Sequence, residues 1–189
     1  MKKMRGRIEM LRLETDRLIL RNYEEKDRKE VHETFSNEEV ARYEDFYPMS
    51  MEEVTDLVKE WSEMDNRLVA VLKETGALIG SVGYWIDENG RYSIDYDFNP
   101  AYGKKGYATE AAACLLDYLF REVHIQEIYG DCDVRNTNSY RLLERLGFTR
   151  IGRNDQDSYK DDLNGEPIII CTYLYKKDKS QLLPTSQVY

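Results

Sequence analysis

The sequence has few of the residues and runs that mark secreted, metal-binding, membrane or nucleic-acid-binding proteins. Its cysteines, Cys114, Cys132 and Cys171, are odd in number and far apart, and its two histidines are distant from each other. This spacing fits neither a disulfide framework nor a zinc site. No apolar run approaches the roughly 20 residues that cross a bilayer. The 27 Lys and Arg residues are outnumbered by 36 Asp and Glu, and they form no cluster that would follow a nucleic-acid backbone.

These absences predict a cytoplasmic protein with no metal, no membrane segment and no direct contact with nucleic acid. The net charge of −9 would tolerate or attract a cationic substrate. A length of 189 residues is typical of one domain. The basic N-terminus is followed by no continuous apolar segment, so it does not have the pattern of a signal peptide. We predict an N-terminal arm over residues 1–10, a domain over 11–176 and a C-terminal tail over 177–189.

The spacing of the apolar residues predicts a mixed α/β domain. Ser50 and Glu53 have the spacing of a capping box that opens a helix. Three hairpin-linked strands form a meander, and the strand, helix and strand that follow predict a crossover between parallel strands. The predicted elements are, in chain order, a strand over 11–21, one or two short helices between 27 and 43, a helix from 50, strands over 68–72, 77–86 and 91–98, a helix over 106–121, a strand over 127–134, a helix from 136, and strands from 148 and over 168–175.

A glycine loop between a strand and a helix is the most informative stretch. It runs Asn-Pro-Ala-Tyr-Gly-Lys-Lys-Gly-Tyr-Ala-Thr-Glu from Asn99 to Glu110. Gly103 and Gly106 let the backbone turn tightly and approach a ligand. The amides after Gly103 would point outward from a helix N-terminus, which favours an anion. The spacing is that of neither a Walker loop nor a dinucleotide fingerprint, so the loop predicts a phosphate site of another kind.

The pattern Gly103-x-x-Gly106-x-Ala108 resembles the acyl-coenzyme A pyrophosphate loop of the GNAT superfamily of N-acetyltransferases. Gly103 stands where that family usually has Gln or Arg. The run that continues to Thr-Glu-Ala is especially similar to the branch of ribosomal-protein-alanine N-acetyltransferases. The same branch is resembled by the Thr-x-Arg-Leu-x-Leu-Arg opening at 15–21 and by Asn-x-x-Ser at 136–139, which a Leu-Gly-Phe follows.

This resemblance covers roughly residues 11–175 and implies a GNAT-like fold. Such a fold is α/β (α+β), with a mixed, mostly antiparallel central sheet flanked by helices and a β-α-β coenzyme-binding core. The implied activity is acetyl transfer from acetyl-coenzyme A to a primary amine, either a protein N-terminal residue or a small-molecule amine. A homodimer is compatible with the resemblance. The residues that it places at the coenzyme are Phe98, Gly103, Lys104, Lys105, Gly106, Tyr107, Ala108, Thr109, Asn136 and Ser139.

Three residues are candidates for catalysis. Many GNAT enzymes carry a Tyr that protonates the departing thiolate where this sequence has Leu143, and Ser139 then faces the sulfur as a possible proton donor. Backbone N–H groups of the strand that contains Tyr96 are expected to stabilise the oxyanion. Asp95 stands where the branch usually has Gly, and it is either an ammonium-binding or basic group or a solvated strand residue.

Alternatives remain open at this point. A non-catalytic coenzyme A-binding sensor or interaction module would have the same fold, and the missing Tyr at position 143 leaves room for it. An unrelated nucleotide-binding α/β protein would bind ATP or NAD instead. The aromatic, acidic segment between Tyr43 and Ser50 and the acidic loop over 155–166 either line an amine-binding cleft or are ordinary core and solvated segments.

Overall fold

The computed structural model describes residues 11–158 and 160–181 as one eight-stranded sheet with helices on both faces. Short 3-10 turns cover Glu25–Asp27, Pro100–Tyr102 and Lys179–Gln181. The longer elements are, in chain order, β1 (Arg12–Glu14), β2 (Leu18–Asn22), α1 (Arg28–Phe35), α2 (Glu38–Ala41), α3 (Met51–Trp61), β3 (Arg67–Leu72), β4 (Leu78–Ile86), β5 (Tyr92–Phe98), α4 (Tyr107–Arg121), β6 (Glu127–Asp133), α5 (Thr137–Arg145), β7 (Thr149–Asp157) and β8 (Ile170–Asp178).

The strands lie in the order β1-β2-β3-β4-β5-β6-β8-β7. Every neighbouring pair is antiparallel except β5 and β6, which are parallel and are joined by the crossover helix α4. This arrangement confirms the predicted mixed, mostly antiparallel sheet with a β-α-β core. β8 lies between β6 and β7, so the last strand in the chain is an internal strand of the sheet and β7 is at its edge.

The predicted single strand over 11–21 is wrong, because the chain turns back on itself after Glu14. Thr15 N donates to the Leu18 carbonyl at 3.0 Å across the turn, and Leu18 N donates to the Thr15 hydroxyl at 2.9 Å. A threonine hydroxyl that accepts from the backbone in this way stabilises a tight turn. The stretch is therefore a β1–β2 hairpin. The predicted arm over 1–10 lies outside the described residues.

Helix starts are the best-predicted local features. Ser50 accepts from Glu53 N at 3.3 Å, and the Glu53 carboxylate accepts from Ser50 N at 2.7 Å, which completes the predicted capping box. Asn136 accepts from Ser139 N at 3.2 Å and caps α5 in the same manner. Gly147 ends that segment with φ of +81°, a backbone conformation that favours glycine.

The two faces of the sheet carry separate apolar cores. On one face, α4 and α5 pack through Leu115, Leu119 and Leu143, which are essentially fully buried. On the other, α1 and α3 pack through a second cluster that includes Val54 and Val58. Because side chains alternate along a strand, residues 94, 96 and 98 of β5 face the first core, and 95 and 97 face the side of α1 and α3.

The C-terminal strand is longer than the apolar pattern indicates. β8 continues through Lys177 and Asp178, past the predicted domain boundary at 176, and Lys177 is buried. Residues 182–189 of the predicted tail lie outside the described residues. Cys114, Cys132 and Cys171 are all free thiols.

Candidate active site

A gap opens in the sheet where β5 and β6 diverge. Their parallel ladder has one residue pair, Ser93 with Tyr129. The amide of Asn99 donates to Ile79 on the β4 side, and backbone groups alternate along a strand. The amides of Tyr96 and Phe98 therefore lie on the opposite edge, which faces the gap.

Tyr96 and Ser139 meet across this gap. The Tyr96 hydroxyl lies 2.9 Å from Ser139 Oγ and donates to the Ser139 carbonyl at 3.2 Å. Burial raises the pKa of Tyr96, so the phenol is neutral. Cys132 on β6 hydrogen-bonds Ser139, and burial raises the pKa of this thiol to about 12. Two predicted catalytic residues thus come together, beside a cysteine that the sequence did not single out.

The glycine loop lies at the end of β5 and leads directly into α4. The Asn99 side chain accepts from Ala101 N at 3.0 Å and starts the Pro100–Tyr102 turn. Lys104 and Gly106 both have positive φ, 62° and 81°, so the backbone reverses twice before the helix. The first amides of α4 therefore face outward. Amides in this position have no partner within the helix, and they can bind an anion.

The second predicted coenzyme segment adjoins the first. Asn136 and Ser139 form the first turn of α5, and Arg145 at its other end donates to the Thr109 hydroxyl at 3.4 Å. The start of α5 lies beside β5 through the Ser139–Tyr96 contact, and β5 ends at Phe98 and leads into the glycine loop, so the two predicted coenzyme segments are neighbours.

A carboxylate cluster, defined as Glu44, Asp95 and Asp97, occupies the opposite side of β5. Asp95 forms an ion pair with Arg67, whose guanidinium stacks on the Trp61 ring at 4.7 Å. Burial raises the pKa of Asp95 despite this partner, and its second oxygen, Oδ1, is buried without a hydrogen bond to the described residues.

The pKa values of Asp97 and Glu44 are also raised, and neighbouring carboxylates contribute to both shifts. Burial, with the charge of Asp95 next, raises the pKa of Asp97 to about 7. Burial, followed by the charges of Asp97 and Asp45, raises the pKa of Glu44 to about 8. Such perturbed carboxyl groups are typical of sites where a charge or a proton is exchanged.

Two loops join beside the carboxylate cluster. Lys160 Nζ donates to the carbonyls of Ala41 and Phe46 at 2.8 and 3.1 Å, and the Tyr47 hydroxyl donates to the Asp161 carbonyl at 2.7 Å. The acidic loop between β7 and β8 is therefore attached to the aromatic, acidic segment between α2 and α3. Of these two segments, Phe46 packs on Phe35 in the core, whereas Tyr47 is exposed.

Of these residues, Asp95 alone was a predicted catalytic residue; Asp97, on the same face of the strand, Glu44 and Arg67 were not among the predicted site residues. Carboxylates at positions i and i+2 of one strand share a face, and this signal was available for Asp97. Glu44 comes from a distant segment, so only the folded chain brings it to the cluster. Among the described residues, no group of three or more His, Cys, Asp or Glu is arranged to hold a metal ion, and no helix is long and apolar enough to span a membrane.

Comparison with known proteins supports the resemblance to N-acetyltransferases that the sequence motifs indicated. Residues 17–149 match the acetyltransferase (GNAT) domain family. The protein described as "Uncharacterized N-acetyltransferase YnaD" of Bacillus subtilis (strain 168) is 32% identical over 145 residues, which are 75% of this chain and 85% of that protein.

Two solved structures share the fold. The acetyltransferase (GNAT family) from Bacillus anthracis superposes with a TM-score of 0.82 at 27% identity, covering 90% of this chain and 100% of that one. A ribosomal L7/L12 alpha-N-protein acetyltransferase in complex with coenzyme A has a TM-score of 0.72 at 19% identity, covering 90% and 98%. The chain belongs to the GNAT family and is an N-acetyltransferase.

Proposed function

We propose that this enzyme transfers an acetyl group from acetyl-coenzyme A to a primary amine that arrives as a cation, by direct attack of the amine on the thioester. The gap between β5 and β6 carries this proposal. It lies beside an anion-binding glycine loop on one side and a carboxylate cluster on the other, as a reaction between a phosphorylated acyl donor and an ammonium requires.

The coenzyme would lie along the two predicted coenzyme segments. The amides of Lys104 to Ala108 would bind the pyrophosphate, with Lys104 and Lys105 exposed beside it. Asn136 and Ser139 would border the pantetheine arm at the start of α5. Phe98, at the strand end, would lie where the arm enters the gap.

The thioester would then sit at the gap, with its carbonyl oxygen towards the amides of Tyr96 and Phe98. Preorganised backbone donors stabilise the negative charge that develops on such an oxygen. The amine nitrogen forms a bond to the carbonyl carbon, and the bond from that carbon to sulfur breaks. The products are an N-substituted acetamide, coenzyme A and one proton: the ammonium nitrogen loses one proton to the base before it attacks and a second after it has bonded to the carbonyl carbon, and the thiolate gains one.

The carboxylate cluster would receive the ammonium and take its proton. Asp95, paired with Arg67, contributes charge and holds the cluster together, whereas Asp97 has a pKa near 7. A base whose pKa lies near the working pH is the most effective, so Asp97 is the preferred proton acceptor. Asp95 and Asp97 lie on the face of β5 opposite to Ser139. The proton would therefore leave on one side of the sheet and the thiolate on the other.

The leaving thiolate would lie on the Ser139 side. Ser139 and Tyr96 share a hydrogen bond there, and the pair offers the sulfur a hydroxyl donor. A serine hydroxyl is a weak acid, but coenzyme A is a thiol, and a hydrogen bond suffices to stabilise a thiolate of ordinary pKa. Tyr96 orients the hydroxyl, and its own backbone amide serves the oxyanion.

The test is thiol release from acetyl-coenzyme A with a matched panel of acceptors. The panel contains a monoamine, a diamine, a polyamine and a peptide with a free N-terminal alanine, together with its N-terminally blocked form. Wild type should release thiol with at least one cationic amine, and mass spectrometry should find a product 42 Da heavier, as one acetyl group replaces one proton. The preferred panel member decides between a protein N-terminus and a small amine.

The role of Asp97 is tested with the same assay across pH. In wild type, kcat/KM should rise with an apparent pKa near 7, and Asp97→Asn should lose this rise and about 100-fold in activity. Asp16→Asn is the matched control, because Asp16 is an exposed aspartate in the β1–β2 turn. Thiol release that is equal in Asp97→Asn and wild type would refute the assigned base, and no release with any amine would refute the proposed function.

A further inference from the structure

The β1–β2 turn packs against the start of α4, a contact that the proposed chemistry does not use. Arg17 Nε donates to Glu110 Oε2 at 2.7 Å, and Arg17 Nη1 donates to the Lys105 carbonyl at 3.0 Å. The same guanidinium lies over the Tyr107 ring, 4.5 Å from its centroid. One side chain thus holds three positions of the glycine loop, one on each side of Gly106 and one on the next helical turn.

Glu110 completes this contact from the helix side. Besides Arg17 Nε, its carboxylate accepts from the Arg17 amide at 3.1 Å and from the Thr15 hydroxyl. Partial burial opposes ionisation, but the hydrogen bonds from Thr15 and Arg17 hold the pKa of Glu110 below its usual value. The side chain is therefore a carboxylate, and the Arg17–Glu110 pair has no net charge of its own.

The glycine loop needs an external support, because its own sequence does not provide one. Helices α3 and α5 are capped by the side chains of Ser50 and Asn136, whereas α4 starts at Gly106, which has no side chain to cap it. Lys104 adopts φ of +62°, a conformation that costs a non-glycine residue about 1 kcal/mol or more. A strained, uncapped loop keeps its amides aligned only when surrounding groups fix it.

We infer that Arg17 and Glu110 form a clamp that positions the glycine loop for the coenzyme pyrophosphate. The inference rests on the proposed function, since it assigns the loop to that ligand. Arg17 is a positioning residue, because its guanidinium is occupied by Glu110 and by the Lys105 carbonyl. Holding the loop in its bound conformation before the ligand arrives lowers the entropic cost of binding.

The direction in which Glu110→Gln changes the affinity for coenzyme A distinguishes this clamp from a direct charge interaction between Arg17 and the pyrophosphate. If Arg17 bound the pyrophosphate as a free cation, the nearby carboxylate would weaken binding, and Glu110→Gln would leave affinity unchanged or improve it. If the pair positions the loop, Glu110→Gln and Arg17→Gln both weaken binding. Arg17→Lys should fail to restore affinity, because an ammonium cannot span Glu110 and the Lys105 carbonyl as the planar fork does.

The experiment is calorimetric titration of coenzyme A into wild type and these variants. Arg17→Gln and Glu110→Gln should each raise Kd by about tenfold, the change expected for loss of a charged hydrogen bond, and the double variant should add little more. Arg12→Gln is the matched control, because Arg12 pairs with Glu14 on β1 without contacting the glycine loop. Thermal unfolding of the free variants checks that each remains folded.

A second readout distinguishes positioning from general damage. S-acetylpantetheine lacks the pyrophosphate, so its kcat and KM should be the same in Arg17→Gln and in wild type, while KM for acetyl-coenzyme A rises at unchanged kcat. A Glu110→Gln variant that binds coenzyme A as tightly as wild type would overturn the clamp and leave the proposed function intact. A wild-type protein that does not bind coenzyme A would overturn the proposed function, and the clamp with it.

Discussion

We expect the free energy of unfolding of wild type to fall as the pH rises from 4 to 8. Replacing Asp97 by asparagine should abolish the part of this fall that Asp97 causes. Asp97 is half-buried beside Asp95, and burial together with that charge raises its pKa to about 7. An aspartate in an unfolded chain titrates near 3.9, roughly 3 pH units lower. The folded protein therefore holds the extra proton across this window. The stability that the proton contributes is full below about pH 4 and is lost as the pH rises through 7.

The size of the effect follows from the shift. One pH unit corresponds to about 1.4 kcal/mol, so a shift of about 3 units gives about 4 kcal/mol at pH 8. The neutral amide of asparagine has the shape of the protonated carboxyl. We therefore expect Asp97→Asn to match wild type near pH 4. At pH 8 its free energy of unfolding should exceed that of wild type by about 2 to 4 kcal/mol, the lower figure applying where nearby charges relax.

Urea denaturation followed by tryptophan fluorescence at pH 4 to 8 measures this difference. Asp16→Asn, which removes an exposed carboxylate in the β1–β2 turn, should follow wild type at every pH. A gap between Asp97→Asn and wild type that stays constant from pH 4 to pH 8 would show that Asp97 titrates as in the unfolded chain. That result would refute both the desolvated cluster and its use as a base near neutral pH.

Three further substitutions test other parts of the molecule. Arg21→Met should lower the free energy of unfolding by about 3 kcal/mol in urea denaturation, because it leaves Asp27, whose side chain is 4% exposed, without its ion-pair partner. A loss below 1 kcal/mol would contradict this. Gly80→Ala should cost about 2 kcal/mol or more, since a Cβ there would lie 2.5 Å from the Asp97 carbonyl, and an unchanged stability would show that β5 moves freely. Tyr96→Phe should reduce kcat about tenfold through loss of the hydroxyl contact with Ser139, with KM for acetyl-coenzyme A retained; an unchanged kcat would exclude the Tyr96 hydroxyl from the mechanism.

The sequence was sufficient for features that depend on local chemistry. Ser50 caps its helix as predicted, and the helix predicted from 136 begins with Asn136 as its cap, because a cap needs only a side-chain oxygen and the amides two or three residues away. The meander and the crossover helix follow from apolar period and turn residues. The glycine loop also lies where its pattern indicated, at the end of β5 and the start of α4.

Features that depend on distant segments were not predictable in the same way. The carboxylate cluster combines Glu44 with Asp95 and Asp97, and no local pattern reports that these approach each other. The pairing of Asp95 with Arg67 depends on the register of β3, β4 and β5. The turn at Thr15 was missed although the apolar alternation stops there, because the polar run over 14–17 is short enough to be read as part of one strand and the hydroxyl that closes the turn gives no periodic signal.

The most direct test of the central claim is thermal stabilisation by acetyl-coenzyme A, with coenzyme A, ATP and NAD in parallel, in wild type, Gly106→Glu and Gly90→Glu. Gly90 is the matched control, because it also has positive φ and an added Cβ would meet nothing within 4 Å. A ligand at about 100 times its Kd stabilises by about 2.7 kcal/mol. The account predicts that the two coenzymes alone raise Tm in wild type and Gly90→Glu, and that Gly106→Glu loses this rise. Folded wild-type protein whose Tm does not change with millimolar acetyl-coenzyme A would contradict it.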